Sequence, residues 1–306
     1  MQITPSLIVP VPLLLMRSAL FAVARPKAGT YYTREQVPIA PQRKAALART
    51  GVPLHQLHAL AWQAVLHFAV EEGITDDSPF TVAADDLLRV MGGRGGDSSQ
   101  RRRLRGWLDE LAHVAIDYET QSHRYRGPLL MPLVREIKVS KKKSEAETNM
   151  PHRLVLRLPP GLPTLLSHEV LRNDLGRKVS MGTSALSLWL HDYLGTHLRP
   201  PLDAVEGLRV WSGSSQSLVR FRHELRKALR RLEAQGAGAA ESAAGRSGQT
   251  PGPLVLHWNI DRRDRLHIEK AATRVYIRSS GDSHAKRQRK TAAADHARLL
   301  RANGTQ

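Results

Sequence analysis

The sequence predicts an α+β, mainly helical chain folded as two tandem winged-helix domains, each a helix-turn-helix followed by a β-ribbon. Three observations carry that expectation. Apolar period and chain breakers give one order twice: helix, short helix, turn, long helix, β-ribbon. The turn that opens each long helix bears the same capping text, Ser98-Ser-Gln and Ser214-Ser-Gln. Within the long helices the leucines keep one spacing, Leu104, Leu108 and Leu111 beside Leu225, Leu229 and Leu232.

In the first half, Leu54, Leu57, Leu60, Ala61, Val65, Leu66 and Phe68 follow Gly51-Val-Pro and predict a helix ending near Gly73. Phe80-Thr-Val is a short β-like run, and Ala84 to Met91 a brief helix. Gly92 to Gly96 is a turn, and Asp97-Ser-Ser-Gln caps a helix through about His113. Strands are expected over Val114 to Glu119, Leu129 to Val139 and Arg153 to Leu158, with an exposed loop from Ser140 to Asn149. In the second half, Thr183-Ser-Ala-Leu opens a helix with Leu186, Leu190, Tyr193 and Leu194, and Ala204 to Val210 is the short helix. A long helix runs from Leu218 to about Gln235, and strands follow over Leu254 to Ile260 and Arg265 to Glu269. Gly236 to Pro253, rich in Gly, Ala and Ser, reads as a flexible insertion. The expected domains are an N-terminal segment 1–53, winged-helix domains 54–160 and 161–278, and a basic, disordered tail 279–306 with room for a short helix near Ala292 to Arg301.

Composition narrows the function. Of 306 residues, 41% are hydrophobic and only 5% aromatic, so the core rests on Leu, Val and Ala. Lys and Arg number 46 against 28 Asp and Glu, a net charge of +18 that calls for a polyanionic partner. The absence of cysteine excludes disulfide scaffolds, Cys-based zinc fingers, iron–sulfur clusters and thiol nucleophiles, and suits a reducing cytoplasm. Ile8 to Ala24 is apolar, but Pro10, Pro12 and Arg17 interrupt it. It reads as a segment packed on the body, and no membrane partner is expected.

The charge is patterned. On a helical wheel Leu218, Phe221, Leu225, Ala228, Leu229 and Leu232 form one apolar stripe, while Arg220, His223, Lys227, Arg230 and Arg231 gather opposite, with Arg226 at the edge. Such a helix suits a major groove, where Arg reaches guanine O6 and N7 and its neighbours hold phosphates; a solvated basic face is the plainer alternative. Arg222 belongs to the same helix, and Arg262 and Arg263, between the last two strands, complete the second domain's expected DNA contacts. In the first domain Arg101, Arg102, Arg103 and Arg105 crowd the start of the long helix, but Asp109 and Glu110 offset charge further along. Lys141, Lys142 and Lys143 fit either a wing tip on the DNA backbone or a solubilising loop.

Enzymatic motifs are missing. The dipeptide Gly-Lys never occurs, so there is no phosphate loop, and HExxH is absent. His55 with His58, and His191 with His197, lack ligand spacing. No catalytic residue, metal or cofactor is expected.

Several strings also carry a resemblance. In order they are Arg17-Ser-Ala-Leu-Phe-Ala-Val, Tyr32-Thr-Arg-Glu, Phe80-Thr-Val with Leu87-Leu-Arg-Val-Met-Gly, Ser184-Ala-Leu-Ser-Leu-Trp-Leu-His-Asp-Tyr, Leu208-Arg-Val-Trp-Ser-Gly-Ser, and Phe221-Arg-His-Glu-Leu-Arg-Lys-Ala-Leu. Over roughly residues 9 to 270 the chain resembles the TrfA-type plasmid replication initiators. The resemblance implies two winged-helix domains in the bacterial cytoplasm that bind repeated sites (iterons) in double-stranded DNA at a plasmid origin. It also implies melting of adjacent AT-rich DNA, recruitment of the host helicase-loading machinery and sliding clamp, and control by a monomer–dimer balance. By this likeness Arg220, Arg222, Lys227 and Arg230 lie in the second recognition helix, and Arg101 to Arg105 in the first. Two departures stand out. Met1-Gln-Ile-Thr-Pro-Ser-Leu replaces the QLxLF or QLxLP clamp-binding segment, and the Gly236 to Pro253 insertion is longer than the family's link to the wing. A winged-helix transcriptional repressor on an operator is the nearest alternative.

Overall fold

The computed structural model describes residues 7–25, 27, 29–41, 45–93, 95, 97–121, 123–132, 135–137, 153–166, 170–197, 203–243 and 255–270, with the backbone alone at 135–137, 235–243 and 270. The fold is α+β: helices and several small sheets share one continuous core.

The chain begins with strand β1 (Ile8–Pro12), the single turn α1 (Leu13–Met16), and strands β2 (Phe21–Ala22), β3 (Tyr32–Gln36), β4 (Ala46–Gly51) and β5 (Leu54–His55). The first half then runs α2 (Gln56–Glu71), β6 (Pro79–Ala83), α3 (Ala84–Val90), α4 (Ser98–Ala112), β7 (Ala115–Glu119), β8 (Arg124–Pro128), β9 (Arg135–Ile137) and β10 (Arg153–Arg157). A connecting stretch follows: α5 (Leu162–Leu166), β11 (Val170–Asp174) and α6 (Leu175–Ser180). The second half is α7 (Ala185–Gly195), β12 (Asp203–Ala204), α8 (Val205–Trp211), α9 (Leu218–Ala243), β13 (Val255–Ile260) and β14 (Arg265–Lys270).

Caps explain the starts of two main helices. His55 Nδ1 accepts from the Leu57 amide and the His55 amide donates to His58 Nδ1, both at 3.1 Å, so a pair of histidines closes the first turn of α2. Asp97 accepts from the Ser99 amide at 2.8 Å to open α4.

The sheet pairing repeats. In the first half β6 pairs with β10 and β10 with β9; in the second β12 pairs with β14 and β14 with β13. Each half therefore brings its first strand back against its last, with two helices between the first strand and the ribbon.

Two expectations need correction. The stretch expected as one strand from Leu129 to Val139 is not one, because β8 ends at Pro128 and β9 begins only at Arg135. Together β7 and β8 leave the ribbon altogether and join the antiparallel order β3-β4-β7-β8, where Ile116, Tyr118 and Tyr125 face inward. Second, α9 does not stop near Gln235: it continues to Ala243, through the start of the segment read as flexible. Alanine is the best helix former, and the alanines of 237–243 outweigh Gly236 and Gly238, at about 1 kcal/mol per glycine. The Lys141–Lys143 cluster, the rest of the expected insertion and the tail 279–306 lie outside the described residues.

The apolar N-terminal run is a structural splint. Strand β1 pairs antiparallel with β11, burying Val9 and Val11; Pro10 and Pro12 are tolerated because the sheet has only two strands. The RSALF string then passes between the halves. Phe21 packs on Trp62 of α2 and its carbonyl accepts from Gln56. On the other side the Ser18 carbonyl accepts from Trp189 Nε1 at 3.2 Å, Arg17 donates to Thr196, and the Val23 amide donates to the Ser212 carbonyl at 2.8 Å. Among the described residues no helix is long and apolar enough to cross a membrane.

Candidate nucleic-acid interface

Helix α9 is two-faced because its sequence is. Phe221, Leu225, Ala228, Leu229 and Leu232 are at most 1% exposed and pack into the second half's core. Arg220, His223, Arg226, Lys227, Arg230 and Arg231 are all exposed on the other side. Lys227 meets Glu224 at 3.1 Å, whereas Arg220, Arg226, Arg230 and Arg231 make no ion pair among the described residues. The expected basic face is thus present with its guanidinium groups toward solvent. Ser217 supports the start of the helix, its carbonyl accepting from the Phe221 amide at 2.8 Å.

The β13–β14 turn stands beside that face. Asp261 accepts from the Arg263 amide at 2.8 Å and the Arg265 amide at 3.0 Å, and lies 3.0 Å from His267 Nε2. These bonds, the His267 ring first, hold its carboxyl well below the usual range. Asp264 takes a left-handed backbone (φ 59°) that sharpens the turn, leaving Arg262 and Arg263 exposed at its tip. Arg222, expected as a DNA contact, is engaged here: its Nε donates to Asp264 at 2.8 Å and its second nitrogen at 2.5 Å. This two-point pair ties the tip of the ribbon to the first turns of α9. The start of α9 and the ribbon tip are therefore locked into one surface.

The first half has the same frame with different contents. Aligning Leu104, Leu108 and Leu111 on Leu225, Leu229 and Leu232 puts Arg101 at the place of Arg222. Arg101 also makes a two-point pair, at 2.8 and 2.6 Å, but with Asp85 of α3. Arg102, Arg103 and Arg105 are exposed along α4. Farther along, Glu110 bonds the buried ring of His58 and Asp109 lies 3.6 Å from His113, so acidic groups occupy positions matching Arg231 and Arg230 of α9. Burial pushes His58 down to about 4, so its ring is neutral at pH 7. In the structure His55 caps α2, and His58 is a strut to α4. Among the described residues no group of three or more His, Asp or Glu is placed to hold a metal ion.

Sequence reasoning missed a buried polar cluster where the halves meet. Lys178 of α6 is fully buried and bonds Asp192 of α7; it also donates to Gln63 of α2 at 3.1 Å. Asn173 of β11 donates to Asp192 at 2.9 Å and to Gln63 at 3.2 Å, and His191 lies 3.3 Å from Asp192. Burial raises the Asp192 carboxyl, but the Lys178 ammonium and the His191 ring bring it down to about 2. A further short repeat accompanies the repeated sheet pairing. Leu88-Arg-Val of α3 returns as Leu208-Arg-Val of α8, and each Arg pairs three residues back, Arg89 with Asp86 and Arg209 with Glu206.

Neither a protein-family model nor a curated protein matches the chain. Among solved structures the chain is similar to a crystal structure of domains 2 and 3 of RctB, a selenomethionine derivative, with a TM-score of 0.47 and 15% identity over 70% of this chain and 82% of that one. A second crystal structure of RctB domains 2-3 gives a TM-score of 0.44 and 14% identity over 70% and 81%.

Proposed function

We propose that both halves are winged-helix modules and that the protein is a sequence-specific, non-enzymatic initiator of plasmid DNA replication. One observation carries the DNA-binding part: the exposed basic face of α9 stands beside the Arg262–Arg263 ribbon tip, fixed there by the Arg222–Asp264 pair. A helix fits the roughly 12 Å major groove, and a ribbon tip beside its start meets the adjoining backbone. In this reading α9 supplies base readout through Arg220, His223, Arg226, Lys227 and Arg230, while Arg231, Arg262 and Arg263 neutralise phosphates. The first half contributes Arg102, Arg103 and Arg105 to phosphate contact and reads sequence more weakly, because Asp109 and Glu110 interrupt its face.

The replication part rests on the resemblance of the RSALF, LWLH and α9 strings to the TrfA-type initiators. Copies bound to adjacent origin repeats bend or underwind the duplex, at about 1–6 kcal/mol per site, and flexible pyrimidine–purine steps yield first. Host helicase-loading proteins then act on the opened strand. The test is permanganate reactivity of a supercoiled plasmid carrying the DNA beside the coding gene, with purified protein and neither nucleotide nor metal. Protection of direct repeats with reactive thymines next to them is the expected result. Protection of a single palindrome without opening identifies a repressor, and strand scission identifies an enzyme.

A further inference from the structure

Val219 is 74% exposed, more than any other large apolar residue among the described residues. It lies in the first turn of α9, and Val219, His223, Arg226 and Arg230 fall on one line of the outward face at spacings of four, three and four. Nothing in the fold accounts for a valine there. It touches no core, and a β-branched side chain on a solvent-facing turn is a poorer helix former than alanine.

Resting on the reading of α9 as a recognition helix, we infer that Val219 determines specificity by taking the C5 methyl of a thymine in the major groove. The N-terminal residues of a recognition helix are the ones that meet base edges. Thymine is the base that offers an apolar group there, and aliphatic side chains are its counterpart. The polar residues on the same line cannot supply this contact. His223, Arg226 and Arg230 read acceptors or hold phosphates, so Val219 adds a discrimination that charge cannot make. In the first half the aligned line is Ser98, Arg102, Arg105 and Asp109. A hydroxyl stands where Val219 stands, so the two helices read different base chemistry and the complete site is asymmetric.

The experiment uses the full chain and a pool of random duplexes. Sites are first selected with the wild type. Each thymine of the selected site is then replaced singly by deoxyuridine, which deletes the methyl and nothing else. Wild type should lose about 4-fold in affinity at one thymine, the factor that one buried methyl is worth. Val219→Ala should bind the thymine site about that much more weakly and be indifferent to uracil at the same position, with sensitivity elsewhere unchanged. If the variant keeps the wild-type thymine-to-uracil ratio at every position, Val219 is not the reader, although sequence-specific binding stands. If wild type selects no sequence at all, the reading of α9 fails and this inference with it.

Discussion

Replacing Lys178 by Met should cost about 3–5 kcal/mol of stability, because it leaves the Asp192 carboxylate buried without its counter-ion. The Lys178 and Asp192 side chains are 0% and 3% exposed, so solvent cannot take over the missing partner. Asn173 still donates to Asp192, and Gln63 Nε2 lies 3.2 Å away, which keeps the loss from growing larger. With a urea slope of about 2–3 kcal/mol per molar, the midpoint should fall by about 1–2.5 M. The double variant Lys178→Met, Asp192→Leu removes both charges. It should recover part of the loss but not all, since Gln63 and Asn173 each lose a buried hydrogen-bond partner, at about 1–3 kcal/mol each. The sign of the pH dependence follows from Asp192. Its carboxyl is held at about 2, below its ordinary 3.8, so its contribution is complete above about pH 4 and is lost as pH falls toward 2. Equilibrium urea unfolding by circular dichroism, read at several pH values for wild type and both variants, measures all of this. A Lys178→Met variant within about 1 kcal/mol of wild type, or a double variant no better than the single, would refute the claim that the pair is a buried, mutually dependent charge couple.

Arg222→Ala and Asp264→Ala should weaken duplex binding to a similar extent, and the double variant should be no worse than either, as measured by fluorescence anisotropy; additive losses would make Arg222 a direct DNA contact. Gly213 sits at φ +66°, and a Cβ attached there would lie 2.7 Å from Ala22 Cβ. Gly213→Ala should therefore lower the melting temperature through a clash as well as backbone strain of about 1–2 kcal/mol, and an unchanged melting curve would show that the turn yields. Because burial holds His55 and His58 at about 4, below the ordinary 6.5, folding stability should decline as pH drops from about 6.5 to about 4, and His58→Gln should flatten that decline in urea titrations.

Sequence alone laid out the longer helices α2, α4, α7 and α9, since each carries a run of apolar residues at helical spacing, and Asp97 marks the start of α4. It also placed the basic face of α9, because a wheel needs only one helix. What it missed depends on distant partners. A lysine is ordinarily a surface residue, and nothing near Lys178 announces Asp192 beyond the 14 residues that separate them, still less Gln63 in another half. The pair between Arg222 and Asp264 was hidden for the same reason, since a charge pattern cannot show Asp264 folding back to meet that arginine from the ribbon. The strings that carry the family resemblance prove instructive in the same way. RSALF and LWLH lie not at the basic face but where the first and second halves of the chain meet, with Ser18 bonded to Trp189 and Phe21 packed on Trp62.

The pairing of β1 with β11 has a consequence for synthesis. Val9 waits for Asn173, and a ribosome adding about 5–20 residues per second needs about 10 to 30 s to travel between them. Once clear of the exit tunnel, Val9, Val11 and the leucines of α1 spend the rest of that interval with no strand to cover them, while the first half already has its own helices to fold. The β1–α1 segment is thus a late part of the fold to close. A nascent-chain chaperone that binds short apolar segments has its longest opportunity there, and a chain halted before residue 170 should carry that segment exposed and open to protease.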